Sequence, residues 1–336
     1  MTHSLCRLLP LFLGLLLSAA SCDQKNNGDS AGSSTPAESP FNADSAYLHL
    51  RTQVAFGPRV PGTESHRATA DYLASVLAGC GLEVHRQEMT LTAYDGTQLP
   101  AVNLIASHNP ESERRILLFA HWDTRPVADH DPDPATRHLP IDGADDGASG
   151  VSVLLELARL LRDHPLTHIG VDIALFDAED YGVPQDSDFD GDREKTWALG
   201  TQYWTQHPKP ENYKAELGIL LDMVGAGGAT FYREYYSQES AGRYVTKIWE
   251  KARDLGHGKY FRNESGGAVT DDHTFVIRAL RIPCVDIINY DPSTDTGFGS
   301  YWHTHGDNLE NISTETLGAV GATVWAVLED LDKEYR

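Results

Sequence analysis

The stretch HIGVDIALFDAEDYG, residues 168–182, decides the fold. Its first half, residues 169–176, is a near-continuous apolar run rich in β-branched side chains, as expected of a central strand covered on both faces. Its second half, Asp177-Ala178-Glu179-Asp180, places three carboxylates in four residues where that strand should end. Open α/β sheets keep their chemistry in the crevice at the carboxyl ends of strands, so acids here are well placed for function. DAED by itself reads equally as a solvated loop. Two further clusters, GADD at 143–146 and WHTH at 302–305, also follow apolar runs and can meet it.

The chain of 336 residues has room for one large domain or two ordinary ones. An apolar fraction of 40% and 29 glycines suit a globular α/β protein. With 49 acidic against 27 basic residues the formal charge is −22, a surface that repels nucleic acid and anionic lipid. Neutral or cationic solutes and peptides are the expected partners, not nucleic acid.

Residues 1–21 read as an export signal: Arg7, an apolar run over 8–17, then Ser18-Ala19-Ala20-Ser21 before Cys22. The run is too short for a comfortable membrane span. Small residues directly before a cysteine resemble a bacterial lipoprotein signal, although Ala19 stands where Leu is usual. The expectation is an exported, periplasmic protein anchored by lipid at Cys22. Residues 22–40, rich in Ser, Asn, Gly and Pro, read as a flexible tether. That leaves Cys80 and Cys284 in apolar surroundings, where a buried thiol is the default, and no CxxC that would suit a cysteine-ligated zinc.

From residue 41 to 336 the pattern is globular, with no second linker and no repeat, so one domain is expected. Helices are expected over 43–54, 63–78, 148–162, 240–255 and 314–331. Strands are expected over 82–91, 99–107, 115–120, 169–176, 216–224 and 282–288. The fold class is therefore α/β: a single three-layer α/β/α domain around a mostly parallel mixed sheet.

Five places put a histidine or carboxylate at a strand end or helix start: His121 with Asp123, Asp145 with Asp146, Glu179 with Asp180, Asp222, and His303 with His305. Imidazole and carboxylate without thiolate form the ligand set of a hydrolytic zinc site, which keeps three protein ligands and one open position. Burying so many acids without a cation would be costly, so a bound metal is the economical account.

The ordered series HWD, GADDGASG, DAED, LLDMVGA, DDH and WHT resembles the zinc-dependent aminopeptidase and glutaminyl cyclase superfamily, and within it the animal-type glutaminyl cyclases and their bacterial members. The likeness runs from about Asp44 to the C-terminal helix. It implies one catalytic zinc on Asp146, Asp180 and His303, with Glu179 as general acid/base and Asp222 and Asp271 as a hydrogen-bonded acid pair. It also implies a pocket walled by Trp302 and Phe298 and a substrate that is a peptide or protein with N-terminal Gln. A monomer is the expectation for the assembly, which no residue pattern marks. Three departures stand out. Asp180 replaces a Glu ligand, Ala120 replaces a cysteine of a disulfide beside the site, and a tryptophan after DAED is missing, for which Trp197 is the candidate substitute.

The same parts serve two chemistries. An aminopeptidase activates water between two metals, with Asp146 bridging and His121 and Asp222 on the second ion. A cyclase lets the substrate's own α-amine attack its γ-amide, giving pyroglutamate and ammonia. Trp302, Phe298 and Asp271 favour the cyclase, with the aminopeptidase as alternative. Finally, Asp186, Asp188 and Asp190 with Gly191 and Asp192 follow the opening of a calcium loop, but position twelve is Trp197 where the pattern asks for Glu. Calcium is the second candidate ion.

Overall fold

The computed structural model describes residues 39–335. The export signal, Cys22 and nearly all of the tether lie outside the described residues. In chain order the elements are helices α1 (Ala43–Ala55) and α2 (Glu64–Gly79), strands β1 (Glu83–Thr92), β2 (Gln98–His108) and β3 (Arg115–His121), helix α3 (Ala148–Asp163), strand β4 (Gly170–Phe176), helix α4 (Leu199–Gln206), strands β5 (Leu217–Asp222) and β6 (Phe231–Arg233), helix α5 (Tyr235–Asp254), strand β7 (Phe261–Ser265), helix α6 (Asp272–Leu280), strand β8 (Cys284–Ile288) and helix α7 (Thr314–Glu334).

The apolar run of 169–176 is indeed a central strand. The main sheet has the order β1-β2-β4-β3-β5-β8. Pairs β4–β3, β3–β5 and β5–β8 are parallel, while β1–β2 and β2–β4 are antiparallel. Successive side chains of a strand face opposite ways. On β3, Ile116, Leu118 and Ala120 accordingly enter one core, and Leu117 and Phe119 enter the other. The first core is covered by α1, α2, α3, α5 and α7, and the second by α4 and α6. This is the expected three-layer α/β/α class.

Helix α3 shows how the site is positioned. Val151, Leu154, Leu155, Ala158 and Leu161 are fully buried, and each such leucine stabilises by about 1.5–3 kcal/mol relative to exposure. Gly150 lets the helix lie directly on β5, since a Cβ there would sit 2.0 Å from the Leu221 carbonyl oxygen. The start of α3, and Asp146 just before it, is thereby pressed against the end of β5.

Some expectations need correction. Helix α5 starts at Tyr235, five residues before the expected start, because Glu234 caps it there; the backbone leaves helical geometry at Ala241 (φ −134°), beside the expected start. Helix α4, of eight residues, is additional to the expected helices: it has no apolar repeat long enough to register, and opens at Ala198 in the left-handed region. Helix α6 carried a readable signal, an Asp cap at 271 followed by an apolar run. Cys80 and Cys284 are both buried and unpaired, and Ala120 is fully buried where the resemblance placed a cysteine.

Candidate active site

Because β3, β4, β5 and β8 run parallel, their carboxyl ends open on one crevice. His121 ends β3, Asp177 to Asp180 follow β4, and Asp222 ends β5. Three non-glycine residues take the left-handed backbone at this crevice: Ala178 (φ 53°) before Glu179, Met223 (φ 47°) after Asp222, and His303 itself (φ 55°). Such strain persists only where the surroundings over-determine it, and it concentrates at functional sites.

Asp146, Asp180 and His303 offer ligand atoms that all lie within 4.8 Å of one another, and the three side chains are buried. His303 Nε2 is 3.2 Å from Asp180 Oδ1 and 3.6 Å from Asp146 Oδ2. Neither Asp180 oxygen has a hydrogen-bond partner. A buried carboxylate without donors is strongly disfavoured, and burial together with Asp146 pushes its pKa up. A divalent cation bound among these atoms removes the penalty, and the donor set is one zinc accepts.

Two further carboxylates aim this group. Asp123 accepts the backbone N–H groups of Glu179 (2.9 Å) and Asp180 (3.1 Å). Asp307 does the same for Asp145 (2.7 Å) and Asp146 (3.1 Å). Behind His303, Asp129 lies 3.4 Å from Nδ1, the carboxylate–imidazole arrangement that orients metal-bound histidines. Burial would raise the Asp129 carboxyl, but Arg125, bonded to both its oxygens at 2.9 and 2.8 Å, holds it well below the usual range. The same fully buried guanidinium donates to the carbonyls of Asp180 and Gly182.

A second group, His121, Asp146 and Asp222, also lies within 4.8 Å. Here the atoms partner one another: His121 Nε2 is hydrogen-bonded to Asp222 Oδ1 at 3.3 Å and lies 3.0 Å from Asp146 Oδ1. His305, named with His303 in the sequence, is not drawn in; it binds Asp131 at 2.8 Å and is half-exposed.

Glu179, Asp222 and Asp271 face the same cavity, whose volume is about 580 Å³. Burial raises all three carboxyls. Glu179 goes well above its usual value, with His121 opposing and Asp271 and Asp180 adding to the rise. Asp222 reaches about 6 against the pull of His121, and Asp271 about 7 with Asp222 adding. Asp271 caps α6 through one oxygen and leaves the other, Oδ2, without a partner.

The outer wall is aromatic: Trp197, Tyr290, Phe298 and Trp302 line the cavity. Trp302 stacks on the His303 ring at 3.6 Å between centroids, and Phe298 packs on Trp302 at 4.8 Å. Trp197 lies nearly parallel to His303 at 6.0 Å, with the Arg125 guanidinium 4.7 Å from its ring. It thus occupies a wall position after DAED. Among the described residues the carboxylates of 186–192 are not gathered into any such three-ligand group, and Asp192 pairs with Lys195 at 3.0 Å.

Sequence reasoning named Asp123 without a role and missed Asp307, Arg125 and Asp129. Arg125 and Asp129 lie four residues apart in a segment with no helix, so that spacing marks nothing in the sequence, and Asp307 is 161 residues from Asp146, where only the fold joins them.

Imidazole and carboxylate donors at the ends of parallel strands, with an acid beside them, define a centre of the zinc-hydrolase type. The model of Peptidase family M28 matches residues 103–328, and the chain belongs to that family. Among solved structures, Tannerella forsythia glutaminyl cyclase is 58% identical, with a TM-score of 0.83, covering 86% of this chain and 98% of its own. A Zn-dependent exopeptidase from Parabacteroides distasonis is 57% identical with a TM-score of 0.84 and the same shares. The glutaminyl-peptide cyclotransferase of Drosophila melanogaster is 27% identical over 297 residues, 80% of this chain and 76% of its own.

Proposed function

We propose that this protein is a zinc-dependent glutaminyl-peptide cyclotransferase, converting N-terminal Gln of peptides and proteins to pyroglutamate with release of ammonia. The carrying observation is the contrast between the partnerless oxygens of Asp180 and the internally bonded His121–Asp222 pair, which argues for one cation, not two. Likeness to bacterial glutaminyl cyclases at about half identity or more supports the same reading.

Asp146, Asp180 and His303 are the proposed ligands, and zinc held there would polarise the γ-carboxamide oxygen. Glu179 accepts a proton from the substrate α-amine as the amine attacks the carbonyl carbon (Cδ) of the γ-carboxamide. The new C–N bond closes the five-membered ring, the old one breaks, and Glu179 returns the proton to the leaving nitrogen, which departs as ammonia. Asp222 and Asp271 both face the cavity and would hold the reacting nitrogens in line; the expected hydrogen bond between them is not formed, because Asp271 spends one oxygen capping α6 and its other has no partner. Trp302, Phe298 and Trp197 shape a pocket for one glutaminyl side chain and exclude water. Holding nucleophile and electrophile in one residue makes positioning worth on the order of 7–11 kcal/mol at best.

The second reading, a di-zinc aminopeptidase, draws on the His121–Asp146–Asp222 group and the exopeptidase neighbour. Mass spectrometry of a Gln-initiated and a Leu-initiated peptide after incubation separates the two. A loss of about 17 Da, the mass of ammonia, from the first alone supports the cyclase. Free leucine from the second overturns it.

Finer points complete the proposal. The enzyme acts as a monomer, which sedimentation tests. It is exported to the periplasm and held there by lipid at Cys22; Cys22→Ser should release it from the membrane fraction. No helix among the described residues is long and apolar enough to cross a membrane. Calcium is proposed at Asp186, Asp188 and Asp190 on the loop pattern alone, and unchanged thermal stability when calcium is added to chelated protein would dispose of it.

A further inference from the structure

Below the cavity lies a second buried polar assembly, centred on a residue to which no role has been given. Glu234 ends the turn between β6 and α5 and is 2% exposed. Its carboxylate accepts five donors. Tyr236 N (2.9 Å) and Val269 N (3.2 Å) reach Oε1; Ser237 N (2.6 Å), Ser237 Oγ (2.7 Å) and His273 Nε2 (3.2 Å) reach Oε2. Two of these donors merely cap α5, as acidic side chains at helix starts commonly do. The Ser237 hydroxyl adds a third contact from the same turn, and the remaining two, from Val269 and His273, reach further along the chain.

Residues 267–271 form one wall of the cavity and have no regular secondary structure. Such a segment has no ladder of its own, so its shape depends on what grips it. Glu234 grips it at Val269 and at His273, two residues before and two residues after Asp271. A third tie, Tyr235 N to the Gly267 carbonyl at 3.0 Å, leaves from the neighbouring residue of the same turn. The other nitrogen of His273, Nδ1, lies 3.6 Å from Asp286 Oδ2 on β8, so the fully buried ring sits between two carboxylates and is hydrogen-bonded to Glu234. The five donors also hold Glu234 ionised: burial alone would raise its carboxyl, yet with His273 it lies at about 2.

We infer that Glu234 and His273 are the positioning pair of the active site, fixing where Asp271 and the 267–271 wall stand relative to the substrate. Neither side chain lines the cavity; both act through Asp271 and Val269. The inference rests on the proposed reaction for its assay but not for its geometry, because the wall faces the cavity whichever reaction occurs there.

The test compares wild type with His273→Ala, His273→Gln and Ser237→Ala, full length and zinc-loaded. Gln keeps an N–H that can reach Glu234, and Ser237→Ala removes one of the five donors. For His273→Ala we expect kcat to fall about tenfold and KM to rise about fivefold, with zinc content equal to wild type, because a slightly displaced wall costs both orientation and binding. His273→Gln should return to within about threefold of wild type, and Ser237→Ala should raise KM about threefold. Loss of folded protein alone would lower apparent kcat and leave KM untouched. A His273→Ala enzyme within about twofold of wild type in both constants, or a Gln variant no better than Ala, overturns the inference. If His273→Ala does not fold, Ser237→Ala decides, and an unchanged KM overturns it. A wild type that releases leucine instead of ammonia overturns the cyclase reading only, and the variants are then scored on leucine release.

Discussion

Asp146 belongs to two buried groups that meet on the cavity floor, and they differ in what they lack. With His121 and Asp222 it forms a set whose atoms already bond one another. With Asp180 and His303 it forms a set in which both Asp180 oxygens go without a donor. Leaving a buried charge poorly compensated is costly; Asp180 has only the approach of His303 Nε2 at 3.2 Å and Arg125 at 3.7 Å, whereas the first set leaves one buried nitrogen, His121 Nδ1, without a partner, so the second set is the less complete as protein alone. Counting ligands in the sequence treats both sets alike; hydrogen bonding separates them. The largest effect should follow from that asymmetry. His303→Ala or Asp180→Ala is expected to lose zinc, measured by elemental analysis, and to lose activity by more than about 10³-fold, because the ion supplies much of the transition-state stabilisation. A variant that keeps both metal and activity breaks the comparison.

Next in size is Glu179→Gln. Its backbone N–H stays on Asp123 and its side chain is not among the proposed ligands, so zinc content should be unchanged while kcat falls by about 10²- to 10⁴-fold, the usual worth of a positioned acid/base. Loss of zinc in this variant would mean that the two functions of the 177–180 turn cannot be separated.

The members of both sets, though not the contrast between them, are legible in the sequence for physical reasons that can be named. The apolar run of 169–176 had to be a buried strand, and acids directly after it had to lie at the crevice. Asp146 and Asp222 followed from the same logic at the start of α3 and the end of β5. Asp307 could not be seen, because a carboxylate that accepts two backbone N–H groups from a distant turn leaves no local pattern. Nor could Glu234, which reads as one more acid in an acidic chain until the fold brings five donors to it. His303 and His305 look equivalent as text; the left-handed backbone at His303 turns one ring into the crevice, while Asp131 holds the other outside. Helix α4 was lost because eight residues leave too short a repeat.

His121 tests the more complete set directly. His121→Ala removes the ring that bridges Asp146 and Asp222, and the expected cost is about 10- to 100-fold in activity, typical of residues that orient metal ligands, with zinc still bound. The expected stoichiometry is the same one ion per chain in wild type and variant. Two ions in wild type falling to one would reverse the argument, since His121 would then be a ligand of a working second metal and the aminopeptidase reading would gain what the cyclase lost.

The smallest effect belongs to the aromatic wall, and it sharpens the comparison where the incomplete set meets the substrate. Trp302 touches both: it lines the cavity and stacks on His303 at 3.6 Å. An aromatic pair of this kind is worth about 0.5–1.5 kcal/mol beyond its buried area, at most about a tenfold effect. Trp302→Leu keeps an apolar wall but loses the stack. If the tryptophan acts on substrate alone, KM rises severalfold while zinc affinity, measured by competition with a chelator, stays put. If the stack also steadies the ring, zinc affinity falls with it. Trp197→Leu is the control, because its ring lies 6.0 Å from His303 and rests against Arg125, which Asp129 already anchors. A drop in zinc affinity confined to Trp302→Leu would show that the incomplete set is held by aromatic packing as well as by carboxylates. Equal drops in both would place the steadying force in the Arg125–Asp129 pair behind the ring.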